Sequence, residues 1–249
     1  MNTEQVEIET ADGVADGYFV RPDEGVCPGV LFCMDAVGLR PAIQAMADRL
    51  ARHGYAVLAP NLFYRLGRAP LLELPKVVNL HQMPDLLASV RTMISSLTPE
   101  FEVRDAGAYL EFMAARKDVK PGRVGAVGYC MGGPFAVRAA AACSDRVAAA
   151  ASFHAGNLAT DAADSPHFLL PMIDAELYFG HAELDQAMPP EQVARLGEAL
   201  RAAGLVHESE VYPGAAHGWA VPDLEVYDEA GSERHWDALL AFLDRTLKT

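Results

Sequence analysis

The chain has 249 residues, 51% of them hydrophobic and 22% charged, which is enough apolar material for one large core, and its formal net charge is −14. That acidity argues against a nucleic-acid backbone or an anionic membrane surface as a partner, because both repel it. The polar, acidic stretch after Met1 lacks the basic and apolar regions of a signal peptide, and no apolar run reaches membrane-spanning length, so the expectation is a soluble cytoplasmic protein.

Polarity alternates over residues 5–9 and 15–20 around Asp12 and Gly13, which predicts an antiparallel hairpin at a sheet edge. The apolar run from Gly29 to Met34 has the character of a buried parallel strand. Ile43, Met46, Ala47 and Leu50 recur at helical spacing and predict a helix from Pro41 to His53, stopped by Gly54. A second buried strand runs from Tyr55 to Ala59 and ends at Pro60. Residues 61–98 are less regular, with several prolines and one helix from Pro84 to about Leu97. A helix from Pro99 to Arg116 leads into a buried strand from Arg123 to Gly128, and the small apolar residues from Met131 to Cys143 read as a buried helix. Val147–Phe153 and Ala175–Phe179 read as strands, and Pro189 to Ala203 as a helix closed by Gly204. A final strand spans Glu208 to Tyr212, and a final amphipathic helix Ser232 to Leu247, with Ser232 as its N-cap. Strands alternating with long helices mean βαβ units. The predicted fold is a single α/β domain over residues 1–249, with a mostly parallel central sheet, helices on both faces and an N-terminal antiparallel hairpin. Ligands of such sheets bind beyond the carboxyl ends of the strands, so the residues just after each strand are the candidates for function.

Gly128-Tyr-Cys130-Met-Gly132 stands between a buried strand and a buried helix. It is the G-x-S-x-G pattern of a nucleophile elbow with Cys in place of Ser: the central residue sits on a strained turn, and flanking glycines let strand and helix approach closely. Thiol chemistry needs a base. His217, in Pro213-Gly-Ala-Ala-His217-Gly-Trp219, follows the last strand, in the order nucleophile, acid, histidine that α/β-hydrolases use. The acid should follow the strand that ends near Gly180. Glu183 and Asp185 are both available, and Asp185 is favoured because its shorter side chain holds an imidazole more rigidly. An oxyanion hole requires two backbone donors: the N–H of Met131, after the nucleophile, and one from residues 34–38, assigned to Ala36. Asp35 is then directed toward Cys130. The other cysteines, Cys27, Cys33 and Cys143, fit no zinc-ligand spacing and read as small buried hydrophobes. The histidines show no metal-ligand spacing and no phosphate-binding glycine motif occurs, so neither metal nor cofactor is expected.

From the early hairpin to the last helix, the chain resembles the dienelactone hydrolase family. The resemblance rests on Gly-Tyr-Cys130-Met-Gly-Gly, on Asn61-Leu-Phe-Tyr64, on Asp185 followed by Met-Pro, and on Gly-Ala-Ala-His217-Gly. It implies the α/β-hydrolase fold and a cofactor-free Cys130, His217 and Asp185 triad that opens lactones and esters through a thiol acyl-enzyme. Two positions depart from the family pattern. Asp35 stands where members that open dienelactone carry a glutamate that contacts the resting thiol. Val221 stands where they carry an arginine for the substrate carboxylate, which points to a less anionic ester.

Tyr64, Arg65, Arg68, Tyr129, His154 and Trp219 follow strands or flank the motifs and are candidate pocket residues, the arginines as substrate cations. The expected partner is a small-molecule ester or lactone, with the protein a monomer or homodimer. A thioesterase or small-amide hydrolase would use the same residues. A non-catalytic ligand sensor, or a redox sensor oxidised at Cys130, are readings of another class.

Overall fold

In the computed structural model, which describes residues 1–248, the apolar runs become the inner strands of one eight-stranded sheet. The hairpin is β1 (Asn2–Thr10) and β2 (Gly13–Arg21). The inner strands are β3 (Gly29–Cys33), β4 (Ala56–Pro60), β5 (Val124–Tyr129), β6 (Val147–Phe153) and β7 (Glu176–Leu184), with β8 (His207–Ala216) at the far edge. Their spatial order is β1-β2-β4-β3-β5-β6-β7-β8. β2 pairs antiparallel with both β1 and β4, and every other pair is parallel. Every residue of β3, β4 and β5 is buried, as strands covered on both faces must be.

The connecting helices are α1 (Pro41–Arg52), α2 (Pro84–Ser96), α3 (Pro99–Ala114), α4 (Gly132–Ala142), α5 (Pro190–Ala202) and α6 (Glu229–Leu247). α4 packs on β3, β5 and β6 with α3 beside it; α6 packs on β5, β6 and β7. α1 joins α6 through the bidentate Arg49–Glu233 pair and the stacking of Arg49 on Trp236. The fold is thus the expected doubly covered α/β sheet.

Three of the boundaries that differ from the sequence expectation have a clear physical cause. β7 runs on to Leu184 and β8 to Ala216, because parallel pairing resumes after an irregularity and sets Leu184 opposite Ala216. Pro213 is tolerated there because β8 is an edge strand. α6 begins at Glu229 rather than at Ser232, and its N-cap is Asp228, whose carboxylate accepts from Ala230 N–H at 3.1 Å. Gly231 is not a break. A β-carbon there would meet the Asp228 carboxylate at 2.5 Å, so the glycine lets the cap close. Ser232 is buried in the first turn.

Backbone meets backbone where α4 leaves β5. A β-carbon on Gly128 would lie 1.8 Å from the Gly132 carbonyl oxygen, and one on Gly132 would lie 2.2 Å from that of Cys33. Neither obstacle is a side chain that can rotate away. Gly128→Ala should therefore cost more than about 3 kcal/mol of stability in urea unfolding. Gly107→Ala, on an open stretch of α3 with nothing near the new carbon, should be neutral or stabilising by up to about 1 kcal/mol.

Candidate active site

The tight turn forces Cys130 into the left-handed region, with φ 54°. A non-glycine residue in that conformation is strained and is held there by its surroundings. Cys130 N–H donates to Phe153 O at 3.0 Å, and Cys130 O accepts from Gly133 N–H at 3.1 Å. These bonds tie the turn to β6 on one side and to α4 on the other. They leave the thiol half-buried at the carboxyl end of the sheet.

Cys130 Sγ lies 3.1 Å from His217 Nε2, and His217 Nδ1 lies 2.7 Å from Asp185 Oδ2. Asp185 is buried one residue past β7, and its other oxygen accepts from Ala187 N–H at 2.8 Å. His217 stands one residue past β8, so the resumed β7/β8 pairing brings the Asp185 carboxylate and the imidazole side by side. Glu183, the other candidate acid, lies within β7 and accepts from Gly214 N–H at 2.7 Å. It supports the chain leading to His217 and does not touch the imidazole. Burial would push His217 down. The charge on Cys130, the hydrogen bonds to Asp185 and Cys130, and the charge on Asp185 outweigh it and raise the imidazole to about 11.

Met131 leads into α4, and Ala36 lies buried in the turn after β3, facing the cleft. Among the described residues neither backbone N–H has a hydrogen-bond partner in the chain. Asp35 also lines the cleft, but its carboxylate does not serve the thiol as expected. It accepts from Arg40 Nη1 at 2.6 Å and Nη2 at 2.9 Å, and from Val37 N–H at 2.9 Å. Arg40 is buried and is bonded again to Asp223, from Nε at 2.7 Å and Nη2 at 2.8 Å. The guanidinium thereby clamps the turn after β3 to the segment after His217. Sequence reading missed this residue. Its one signal is a lone cation in the apolar tract before a helix.

Among the six candidate pocket residues, His154 alone lines the cleft. Its φ is 39°, and its ring packs edge-on against His217 with centroids 5.3 Å apart. Both ring nitrogens are buried and unpartnered among the described residues. Burial, then the neighbouring His217 and His235, drives the ring well below the usual imidazole range, so it is neutral. Trp219 stands one layer back, against His154 and Tyr212. Tyr129 is sandwiched between Phe32 and Phe153 and bonds His235 at 2.9 Å, so it belongs to the core. Tyr64, Arg65 and Arg68 face away from the cleft. Tyr64 bonds Thr10 and Asp105; Arg65 forks onto Asp12 and Asp105; Arg68 pairs with Glu7. The acidic hairpin and α3 capture these arginines before they can reach a substrate.

The cleft holds about 500 Å³, within the range of small-molecule sites. Its remaining walls come from residues 78–81, Leu87, residues 184–187 and residues 224–226. Two of these segments are stitched together by Val78 N–H to Asp223 O at 2.8 Å and Glu225 N–H to Val78 O at 3.0 Å. Among the described residues no group of three His, Cys, Asp or Glu side chains is placed to hold a metal ion. No helix among them is long and apolar enough to cross a membrane.

A mostly parallel sheet with a strained cysteine elbow after its central strand, and an aspartate and a histidine after its last two, has the α/β-hydrolase fold. The chain belongs to the dienelactone hydrolase family, whose sequence model matches residues 15–247, and it is a hydrolase of that family. It is 26% identical over 230 residues to a Salmonella typhi protein provisionally named carboxymethylenebutenolidase, covering 90% of this chain and 80% of that one. It superposes on a Klebsiella pneumoniae structure provisionally named dienelactone hydrolase with a TM-score of 0.84, 23% identity and 98% of each chain covered. A dienelactone hydrolase-like promiscuous phosphotriesterase from metagenomic libraries has the same fold at a TM-score of 0.78 and 22% identity, over 99% of this chain and all of that one.

Two outcomes follow from this geometry. Arg40→Gln leaves the buried Asp35 carboxylate without its counterion and should cost about 3–5 kcal/mol in urea unfolding, with partial recovery in the double variant Arg40→Gln/Asp35→Asn. In an NMR titration the His217 imidazole should keep its proton through pH 9 and lose it near 11. Cys130→Ala removes the sulfur's charge and hydrogen bond, so that midpoint should fall by more than about one unit.

Proposed function

We propose that the protein hydrolyses small carboxylic esters or lactones through a thioester formed on Cys130. The observation that carries this reading is the unbroken chain from Cys130 Sγ to His217 Nε2 and from His217 Nδ1 to Asp185, at 3.1 and 2.7 Å, opening into the cleft. The family and the naming of its Salmonella typhi relative as a carboxymethylenebutenolidase support the same class of chemistry.

With the proton on His217, the sulfur of Cys130 attacks the substrate carbonyl carbon, and the carbonyl π pair moves onto oxygen. The N–H groups of Met131 and Ala36 receive that oxyanion; donors already in place need no reorganisation as charge develops. Collapse breaks the bond to the alkoxy oxygen, which takes the proton from His217 Nε2 and leaves as alcohol. In a lactone the same hydroxyl stays tethered to the acyl group. His217, now neutral, removes a proton from water, whose oxygen attacks the thioester. Collapse of the second tetrahedral intermediate releases the carboxylic acid and returns Cys130 as thiolate beside the protonated imidazole. Asp185 holds the imidazole in the right tautomer and stabilises it when charged.

Iodoacetamide should label Cys130 ahead of Cys27, Cys33 and Cys143, whose thiols burial pushes up, and ester hydrolysis should vanish in step with labelling mapped by peptide mass. Asp185→Asn should fold normally and lose about 10²–10⁴-fold in kcat, whereas Glu183→Gln should change kcat less than about threefold. Unchanged hydrolysis by fully Cys130-modified protein would exclude the thioester route.

A further inference from the structure

The charges facing the cleft define what it can hold. No lysine or arginine lines it among the described residues. The guanidinium of Arg40, bound to the cleft-lining Asp35, has all five N–H donors occupied, two by Asp35, two by Asp223 and one by Gly38 O, so none remains for a substrate anion. Arg65 and Arg68 are bound to carboxylates elsewhere. His154 is kept neutral by burial, and the proton on His217 is engaged by Cys130 and Asp185. What remains is an acidic rim residue, Glu225, the polar side chains of Asn79, His81 and Gln186, and aliphatic walls: Val37, Val78, Leu80, Leu184, Leu224 and Val226.

Building on the esterolytic reading of Cys130, we propose that this cleft selects uncharged esters or lactones with an aliphatic or aromatic acyl portion and rejects those carrying a carboxylate near the scissile bond. An acyl chain against these walls gains from burial, about three- to fourfold in kcat/KM per methylene that reaches them. A carboxylate against those aliphatic walls loses its hydration and finds no free lysine or arginine in exchange. Sites discriminate strongly when a charged or polar group is left without a partner.

The experiment compares 4-nitrophenyl pentanoate with the 4-nitrophenyl monoester of glutaric acid, which have the same leaving group and the same five-carbon acyl chain and differ by a terminal carboxylate. At pH 8 the pentanoate should be favoured at least about 100-fold in kcat/KM. The preference should survive 0.5 M salt, which screens the long-range field of a chain of net charge −14 but not a desolvated carboxylate in the cleft. Leu224→Arg, which places a guanidinium on the wall, should narrow the ratio by about tenfold or more. Equal or better turnover of the glutarate ester by the unmodified protein would overturn the selectivity while leaving the esterolytic reading standing. Turnover of neither ester would bring down the esterolytic reading and this inference with it.

Discussion

The carbonyl of Gly132 lies where a β-carbon on Gly128 would stand, and the carbonyl of Cys33 lies where one on Gly132 would stand. This contact of bare backbone lets α4 start directly over β5 and beside β3. No relaxed turn fits in the remaining space, so Cys130 takes a left-handed conformation that a cysteine does not choose by itself. From that position the sulfur projects beyond the sheet and meets a histidine delivered three strands away. The turn after β3, which brings the free N–H of Ala36 to the cleft, is held against the same point. Lengthening any one of these approaches by a methyl group would move nucleophile, helix end and oxyanion turn together.

Those parts of the site that depend on backbone are legible in the sequence. Glycine at 128 and 132 is a steric requirement written in residue type, and the order of Cys130, Asp185 and His217 follows from strands visited in turn by the chain. Parallel strands announce themselves as apolar runs, so the sheet is legible too. The parts that depend on side-chain partners are not. Arg40 finds Asp223 at a separation of 183 residues, and no periodicity marks that pair. Arg65 and Arg68 follow a strand end, as substrate-binding residues do, yet the acidic side chains of Asp12, Asp105 and Glu7 lie nearer than the cleft. Asp35 was directed at the thiol by its place in the chain and is turned aside by an arginine five residues on. The ends of β7 and β8 escape local reading for the same reason: pairing across strands, not residue preference, carries them past Gly180 and Pro213.

The two buried ionic groupings at the cleft act differently on its chemistry. Asp185 sits against a histidine that the proposed mechanism cycles between charged and neutral forms, and there its field acts on the reaction. Asp35 sits against an arginine that never loses its charge, so its field is cancelled and its effect is geometric. A wall that would otherwise be held by weak loop contacts is thereby fixed to the turn that carries Ala36. The same arrangement removes a cation from the substrate's reach.

The outermost strands, β1 and β8, place glutamates along the open borders of the sheet: Glu4, Glu7 and Glu9 on one side, Glu208 and Glu210 on the other. Four of these already hold arginines folded back from the body of the protein, Arg116, Arg68, Arg245 and Arg234. A strand from another copy laid along either border would have to displace those arginines or set carboxylates against carboxylates. The sheet therefore carries its own protection against growing by addition of strands, the route by which exposed edges lead to fibres and aggregates.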